Sequence, residues 1–146
     1  SEPLAHIYAS PLRRALETAE AIRRFHPAAR FTISDDLREV SRFHYVPDSA
    51  GAELVTPAEM AHERDAVERF ANRLWHSHAA GETALVVGHG NNFCTLIPLL
   101  CGREPAESLL VDFNHTAVTI LNVGLQGGAV LRLANCLHHL APAEVT

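Results

Sequence analysis

Residues 84–91 are Ala84-Leu85-Val86-Val87-Gly88-His89-Gly90-Asn91, an apolar run that leads directly into Gly-His-Gly. A short continuous apolar run predicts a strand that is covered on both faces of its sheet. The two glycines permit a tight turn and the close approach of another molecule. A helix beginning near Asn92 would point unpaired N–H groups and its positive dipole end at this turn. The junction therefore suits an anion beside His89, although a histidine that merely ends a strand explains these residues equally well.

The rest of the chain alternates predicted strands with predicted helices. Strands are predicted at residues 6–9, 30–34, 83–87, 116–123 and 129–134, and helices at 11–25, 57–80 and 92–101. Ser10-Pro11 and Thr56-Pro57 each combine an N-cap residue with proline at the first helical position. The alternation predicts one domain, residues 1–146, with a three-layer α/β/α architecture and a mostly parallel sheet. The last two strands, joined by a hairpin loop at 124–128, form an antiparallel end of that sheet.

Composition excludes several classes of function. The chain has 146 residues and a net charge of −5, so it lacks the basic surface that nucleic acids or anionic membranes require. No apolar run is long enough to span a bilayer, and the N-terminus shows no signal-peptide pattern. Cys94, Cys101 and Cys136 have no metal-type spacing, which favours buried thiols in a reducing cytoplasm. All basic residues are arginines. An anion site here must therefore use guanidinium groups, which bind phosphate or carboxylate oxygens in pairs.

Ten histidines raise the alternative of a metal site. His76 and His78 are two apart at a helix end, where their side chains do not face each other. His138 and His139 have no carboxylate or thiol at ligand spacing. We therefore expect no metal and no other cofactor.

Four segments resemble, in order along the chain, the motifs of the histidine phosphatase superfamily, the phosphoglycerate-mutase-like proteins. They are Ser10-Pro11-Leu12-Arg13-Arg14-Ala15-Leu16-Glu17-Thr18-Ala19, Leu37-Arg38-Glu39, Val86-Val87-Gly88-His89-Gly90 and Asn114-His115-Thr116-Ala117-Val118-Thr119. The resemblance spans nearly the whole chain. It implies a phosphoglycerate-mutase-like fold and a phosphoryl-transfer enzyme that works through a phosphohistidine on a small phosphorylated substrate.

The resemblance also assigns roles to individual residues. Arg14 matches the arginine that clamps the phosphoryl group, and His89 matches the second histidine of the pocket. Gly90 and Asn91 follow His89 and can lend backbone N–H groups to the same oxygens. Glu39 matches the general acid that protonates the leaving oxygen, although from its neighbours alone it can equally be a loop carboxylate paired with Arg38 or Arg42. Two further residues of the irregular segment 35–56, namely Arg42 and His44, are weaker candidates for substrate contact.

The chain departs from the family at one decisive point. The family nucleophile is the histidine of an Arg-His-Gly motif at the end of the first strand, and this sequence contains no Arg-His-Gly. The resemblance therefore implies that the first strand and the nucleophile are absent. Their absence would leave strand edges with unpaired backbone groups inside the sheet. A separate fragment, neighbouring strands, or another copy of the chain pairing edge to edge could fill the gap.

Three functions remain open from the sequence. The retained Arg14, Glu39 and His89 favour a phosphomonoester phosphatase whose nucleophile lies outside this chain. The missing nucleophile favours instead an inactive module that binds a phosphate ligand. A phosphoglycerate mutase is the third alternative, but residues 42–53 lack the Gly-x-Trp-Glu-Gly segment that often follows the acid in the mutase-like branch.

Overall fold

A computed structural model describes residues 3–48, 50–107, 111–124 and 128–144. The described residues form the strands β1 (Leu4–Ala9), β2 (Arg30–Ile33), β3 (Thr83–Val87), β4 (Val118–Val123) and β5 (Ala129–Cys136). The helices are α1 (Arg13–Arg23), α2 (Pro57–His76) and α3 (Gly90–Leu100). Most of the predicted hairpin loop, residues 125–127, lies outside the described residues.

The strands form two separate sheets. A parallel sheet has the order β2-β1-β3, and β4 pairs with β5 in an antiparallel sheet of two strands. The predicted α/β fold with a parallel sheet and an antiparallel C-terminal part is thus confirmed. The prediction that the last two strands continue the same sheet is wrong, because β3 pairs only with β1 among the described strands. Neighbouring strands therefore do not close the gap that the family resemblance implies.

The parallel sheet lies between two helical layers because successive side chains of a strand point to opposite faces. Ile7 and Ala9 of β1 are fully buried against Ala19 of α1. Tyr8 points to the other face, where it packs with Phe70 of α2 in a cluster that also contains α3. This sandwich holds β1 in the middle of the core and fixes the direction in which it leaves the sheet.

Helix α2 begins as its sequence predicts and ends earlier. The side chain of Thr56 accepts the Glu59 N–H, and the Glu59 carboxylate accepts the Thr56 N–H, which completes the predicted capping box. The helix ends at His76, four residues before the predicted end. Beyond this end, the His78 ring bonds the Tyr8 hydroxyl at 3.1 Å and Glu82 at 3.2 Å.

The predicted irregular segment between β2 and α2 contains three short 3₁₀ turns, at Asp35–Leu37, Arg42–His44 and Ala52–Leu54. The first turn is fastened to α2 by Asp36, whose carboxylate accepts from Arg69 at 2.9 Å and from Arg73 at 3.1 Å. Fully buried Leu37 adds apolar contact with the core. The segment is therefore held firmly at the point where it carries Glu39 to the edge of the sheet.

Within the described part of the chain, no helix combines the length and the apolar character that crossing a bilayer requires.

Candidate active site

The candidate site lies at the edge of the sheet where β1 and β3 both end. Parallel strands place their carboxyl ends on one side, which is where ligands bind in open α/β sheets. Ser10 follows β1, and its N–H donates to the Val87 carbonyl at 2.9 Å, so the two strands stay together to their last residues. The chain then leaves into α1 from one strand and into α3 from the other.

His89 is the buried centre of this edge. It has 4% of its surface exposed and precedes α3 in an extended conformation, with φ −132° and ψ 155°. Its Nε2 lies 2.7 Å from Ser10 Oγ, and Ser10 Oγ also accepts the Leu12 N–H at 3.3 Å. The other ring nitrogen, Nδ1, lies 3.8 Å from Glu39 Oε2. Ser10 therefore fixes the orientation of the imidazole and leaves Nδ1 facing Glu39.

Arg14 and Glu39 meet beside the imidazole. Arg14 Nη2 lies 3.4 Å from Glu39 Oε2, the same oxygen that faces His89. Arg14 keeps 62% of its side chain exposed, so its remaining N–H groups are open to a ligand. Glu39 Oε1 is buried and has no hydrogen-bond partner among the described residues. The structure thus brings together the three residues that the sequence proposed from separate motifs.

Glu39 has a different partner from those expected from its neighbours. Arg38 pairs with Asp35 at 3.0 Å, and Arg42 donates to the Ala50 carbonyl at 2.8 Å. Arg38 and Arg42 therefore both bond within the irregular segment. The cation beside Glu39 is Arg14, which comes from α1.

Burial governs the protonation of His89. Loss of hydration, followed by the charge of Arg14, lowers the pKa of His89 to about 4. The imidazole is consequently neutral at pH 7, so one ring nitrogen can donate a hydrogen bond and the other can accept one.

The surroundings of Gly88 and Gly90 differ. Neither is among the glycines with positive φ, so neither is required for a tight left-handed turn. A Cβ at Gly88 would lie 3.2 Å from the Phe93 ring, whereas one at Gly90 would meet only Phe113 at an ordinary 3.8 Å. Gly88 therefore serves packing. Gly90 begins α3, whose first-turn N–H groups have no partner inside the helix.

The side chain of Asn91 bonds to the irregular segment, while its backbone belongs to α3. Its side-chain Oδ1 accepts the Tyr45 hydroxyl at 2.7 Å, which joins the start of α3 to the irregular segment. Burial, followed by the neighbouring Cys94, raises the pKa of Tyr45 to about 12, so the phenol keeps its proton. The backbone N–H of Asn91 lies in the first turn of α3 beside that of Gly90.

Arg42 and His44 are not brought into the Arg14–Glu39–His89 cluster. The His44 side chain is buried against α2, with Nε2 2.9 Å from Glu63 Oε2. Glu63 also accepts the Ser41 N–H at 2.8 Å. In this arrangement His44 anchors its segment to α2, and its role in substrate contact stays a prediction.

Ser10, Tyr45 and Asn92 contact this site and were not singled out for it from the sequence. Ser10 was predicted to cap α1, which is wrong. The helix begins at Arg13 and Leu12 occupies the capping position, while the Ser10 hydroxyl is bound to His89. A serine before proline fits either role, so its residue type alone does not separate them. Tyr45 and Asn92 carry no local signal, since their partners lie far away in sequence.

Ser10, His89 and Glu39 have the composition of a serine hydrolase triad. Ser10, however, has no exposed surface, and its hydroxyl already accepts the Leu12 N–H. A substrate carbon or phosphorus atom cannot reach this oxygen in the present arrangement. The serine therefore orients the imidazole and does not serve as a nucleophile.

Known structures place this fold in the phosphoglycerate-mutase-like class. YhfR of Bacillus stearothermophilus superposes with a TM-score of 0.69 at 24% identity, covering 93% of this chain and 76% of that one. The phosphoglycerate mutase of Plasmodium falciparum superposes with a TM-score of 0.61 at 19% identity, covering 100% of this chain and 79% of its own.

The family evidence comes from the first third of the sequence. Residues 1–46 match the model of the histidine phosphatase superfamily (branch 1), a region that includes Arg14 and Glu39. No curated protein matches the chain. The resemblance inferred from the sequence motifs is therefore confirmed over residues 1–46, which hold its first two motifs, and the expected phosphoglycerate-mutase-like fold is confirmed by the structural neighbours.

Among the described residues, no group of three or more histidine, cysteine, aspartate or glutamate side chains is arranged to hold a metal ion.

The low pKa of His89 makes a testable contribution to stability. In the unfolded chain the histidine has a pKa near 6.5, so as the pH falls the unfolded chain binds this proton before the folded chain does. The folded state is therefore destabilised relative to the unfolded state as the pH falls from about 6.5 toward about 4. Between pH 7 and pH 5 we expect a loss of about 2 kcal/mol in the free energy of unfolding. The measurement is urea unfolding at both pH values.

The matched control is His89→Gln, which keeps a polar side chain but removes the titrating group. We expect the difference between pH 7 and pH 5 to shrink in this variant by the same amount. An unchanged difference would show that other groups govern the acid sensitivity.

Proposed function

We propose that this chain carries the phosphoryl-binding site of a phosphomonoester phosphatase of the histidine phosphatase type. In this proposal the nucleophile is a histidine that the 146 residues do not contain. The substrate is a small phosphorylated molecule, and the reaction takes place in the cytoplasm.

The observation that carries the proposal is the convergence of three chemically different groups. A guanidinium, a carboxyl and an imidazole meet with Glu39 Oε2 lying 3.4 Å from Arg14 and 3.8 Å from His89. The first-turn N–H groups of α3 begin directly after His89. A cation, a neutral N–H donor and a helix N-terminus together suit the oxygens of a phosphoryl group.

The proposed reaction has two displacements. In the first, a nitrogen of the nucleophilic histidine forms a bond to phosphorus while the ester P–O bond breaks. The leaving oxygen takes a proton from Glu39, which becomes a carboxylate. In the second, water attacks phosphorus, Glu39 recovers a proton from that water, and the P–N bond breaks. Arg14 and His89 stabilise the negative charge spread over the transferring oxygens.

The Arg14–Glu39 contact changes when substrate binds. An incoming phosphoryl dianion takes the Arg14 guanidinium as its own partner, which releases the Glu39 carboxyl to face the leaving oxygen.

An inactive phosphate-binding module is the second candidate, and the absence of an Arg-His-Gly motif favours it. A phosphoglycerate mutase is the third, since one structural neighbour bears that name. The phosphatase proposal is preferred over the mutase because the Gly-x-Trp-Glu-Gly segment is missing after Glu39. It is preferred over the module because a binding site has no need of a proton donor.

Phosphate binding tests the site itself. Arg14→Gln and His89→Ala should each weaken the affinity for inorganic phosphate by about tenfold or more, because the first removes a charge that pairs with the ligand and the second removes a hydrogen-bond donor. Isothermal titration calorimetry at pH 7 measures the dissociation constants.

The control is Arg13→Gln, which removes the neighbouring arginine. Arg13 is 89% exposed and pairs with Glu17 on the surface of α1. Its loss should change the affinity less than about twofold. Equal effects at positions 13 and 14 would contradict the proposed clamp.

Rescue with free imidazole separates the enzyme from the binding module. We expect the chain alone to release no phenol from phenyl phosphate above background, because no nucleophile attacks phosphorus. Added imidazole should occupy the vacant attacking position, form N-phosphoimidazole and release phenol. The rate of phenol release should be lost in Glu39→Gln, which cannot protonate the poor leaving group.

Two results would count against the enzyme. Absence of any imidazole-dependent rate would favour the binding module. An ordinary enzymatic rate without imidazole that disappears in His89→Ala would show that the missing histidine is not the nucleophile.

A further inference from the structure

Asn92 is a buried amide at the third position of α3. It has 1% of its surface exposed, and its Nδ2 donates to the Arg38 carbonyl at 3.0 Å and reaches the Asp36 carbonyl at 3.5 Å. Its Oδ1 is buried and has no hydrogen-bond partner among the described residues. The side chain thus crosses from α3 to the turn at 36–39 with half of its hydrogen-bonding capacity unused.

Stability alone does not account for this residue. A buried carbonyl oxygen without a partner is destabilising, so it offsets part of the stability that the hydrogen bond to the Arg38 carbonyl supplies. The turn is also already fastened from its other side, where Asp36 accepts from Arg69 at 2.9 Å and from Arg73 at 3.1 Å. Those hydrogen bonds connect the turn to α2, whereas the hydrogen bond from Asn92 connects it to α3.

The hydrogen bond between Asn92 and the Arg38 carbonyl has a candidate site residue next to each of its two partners. The Arg38 carbonyl belongs to the peptide that immediately precedes Glu39. Asn92 follows His89 by three residues on the same rigid first turn. The hydrogen bond from Asn92 therefore links the backbone next to Glu39 with the helical turn next to His89. The Glu39 Oε2 and His89 Nδ1 atoms lie 3.8 Å apart.

We propose that Asn92 is a positioning residue that sets the distance between Glu39 and His89. It holds the turn so that the Glu39 carboxyl faces the pocket that His89 lines. The geometric claim stands on the contacts of Asn92, while its meaning for catalysis rests on the proposed phosphatase function.

The test is a double-mutant cycle read by the ¹⁵N resonances of the His89 ring at pH 7. Glu39→Gln removes a charged group 3.8 Å from Nδ1 and should shift these resonances clearly in the native chain. In Asn92→Leu, where Glu39 is no longer held, the same change should produce less than about half of that shift. The thermal midpoint is measured alongside, because Asn92→Leu removes the unpaired Oδ1 together with the donor to the Arg38 carbonyl.

The matched control is Thr95→Val. Thr95 is fully buried one turn further along α3, and its hydroxyl donates to the Asn91 carbonyl at 3.1 Å within the same helix. Removal of this hydroxyl perturbs the helix but not the turn at 36–39. The effect of Glu39→Gln on His89 should therefore stay at its native size in Thr95→Val.

Asn92→Ser, whose side chain is too short to reach Arg38, repeats the test if the leucine variant does not fold. Equal Glu39→Gln shifts in the native and Asn92 variant backgrounds would overturn the proposal, as would equal losses in the Asn92 and Thr95 variants. If neither Asn92 variant folds, Asn92 is a folding residue and the proposal is rejected. The cycle requires neither phosphate nor turnover, so failure of the proposed phosphatase function would leave its result unchanged.

Discussion

The parallel pairing of β1 with β3 is the constraint on which the rest of this structure depends. The register places Ala9 opposite Val87, and the Ser10 N–H extends the pairing by one more bond. Because the strands are parallel, both deliver their next residues to the same edge. Ser10 therefore meets His89, and both α1 and α3 begin just beyond this edge. Arg14 comes from the first helix and the first-turn N–H groups come from the second, so the candidate site follows from the sheet.

The polar groups at this edge are arranged so that each restrains another. His89 is oriented by Ser10 and kept neutral by burial and by Arg14. Glu39 lies between the guanidinium and the imidazole, and the turn before it is bonded to the start of α3. Groups that are fixed in advance stabilise developing charge without having to reorganise, which is the condition for electrostatic catalysis. The polar groups of this site are therefore fixed in the way that the proposed phosphatase requires.

Much of the fold and part of the site could be predicted from the sequence because the signals are local. Apolar period and capping residues located β3 and the start of α2, and the motifs located Arg14, Glu39 and His89. The separation of β4 and β5 from the main sheet was not predictable, since strand pairing is decided between distant segments. Ser10 was assigned to a cap because the same residue type serves a cap and a buried hydrogen bond. Asn92 was missed because its partners lie more than fifty positions away.

Crystals of the chain grown with tungstate show where the anion binds, because the anomalous scattering of tungsten locates it without ambiguity. If the phosphoryl pocket exists, one tungstate lies within hydrogen-bond distance of both the Arg14 guanidinium and the His89 imidazole, next to the first turn of α3. A tungstate bound elsewhere, or one that contacts Arg14 but not His89, would contradict the existence of a single phosphoryl pocket.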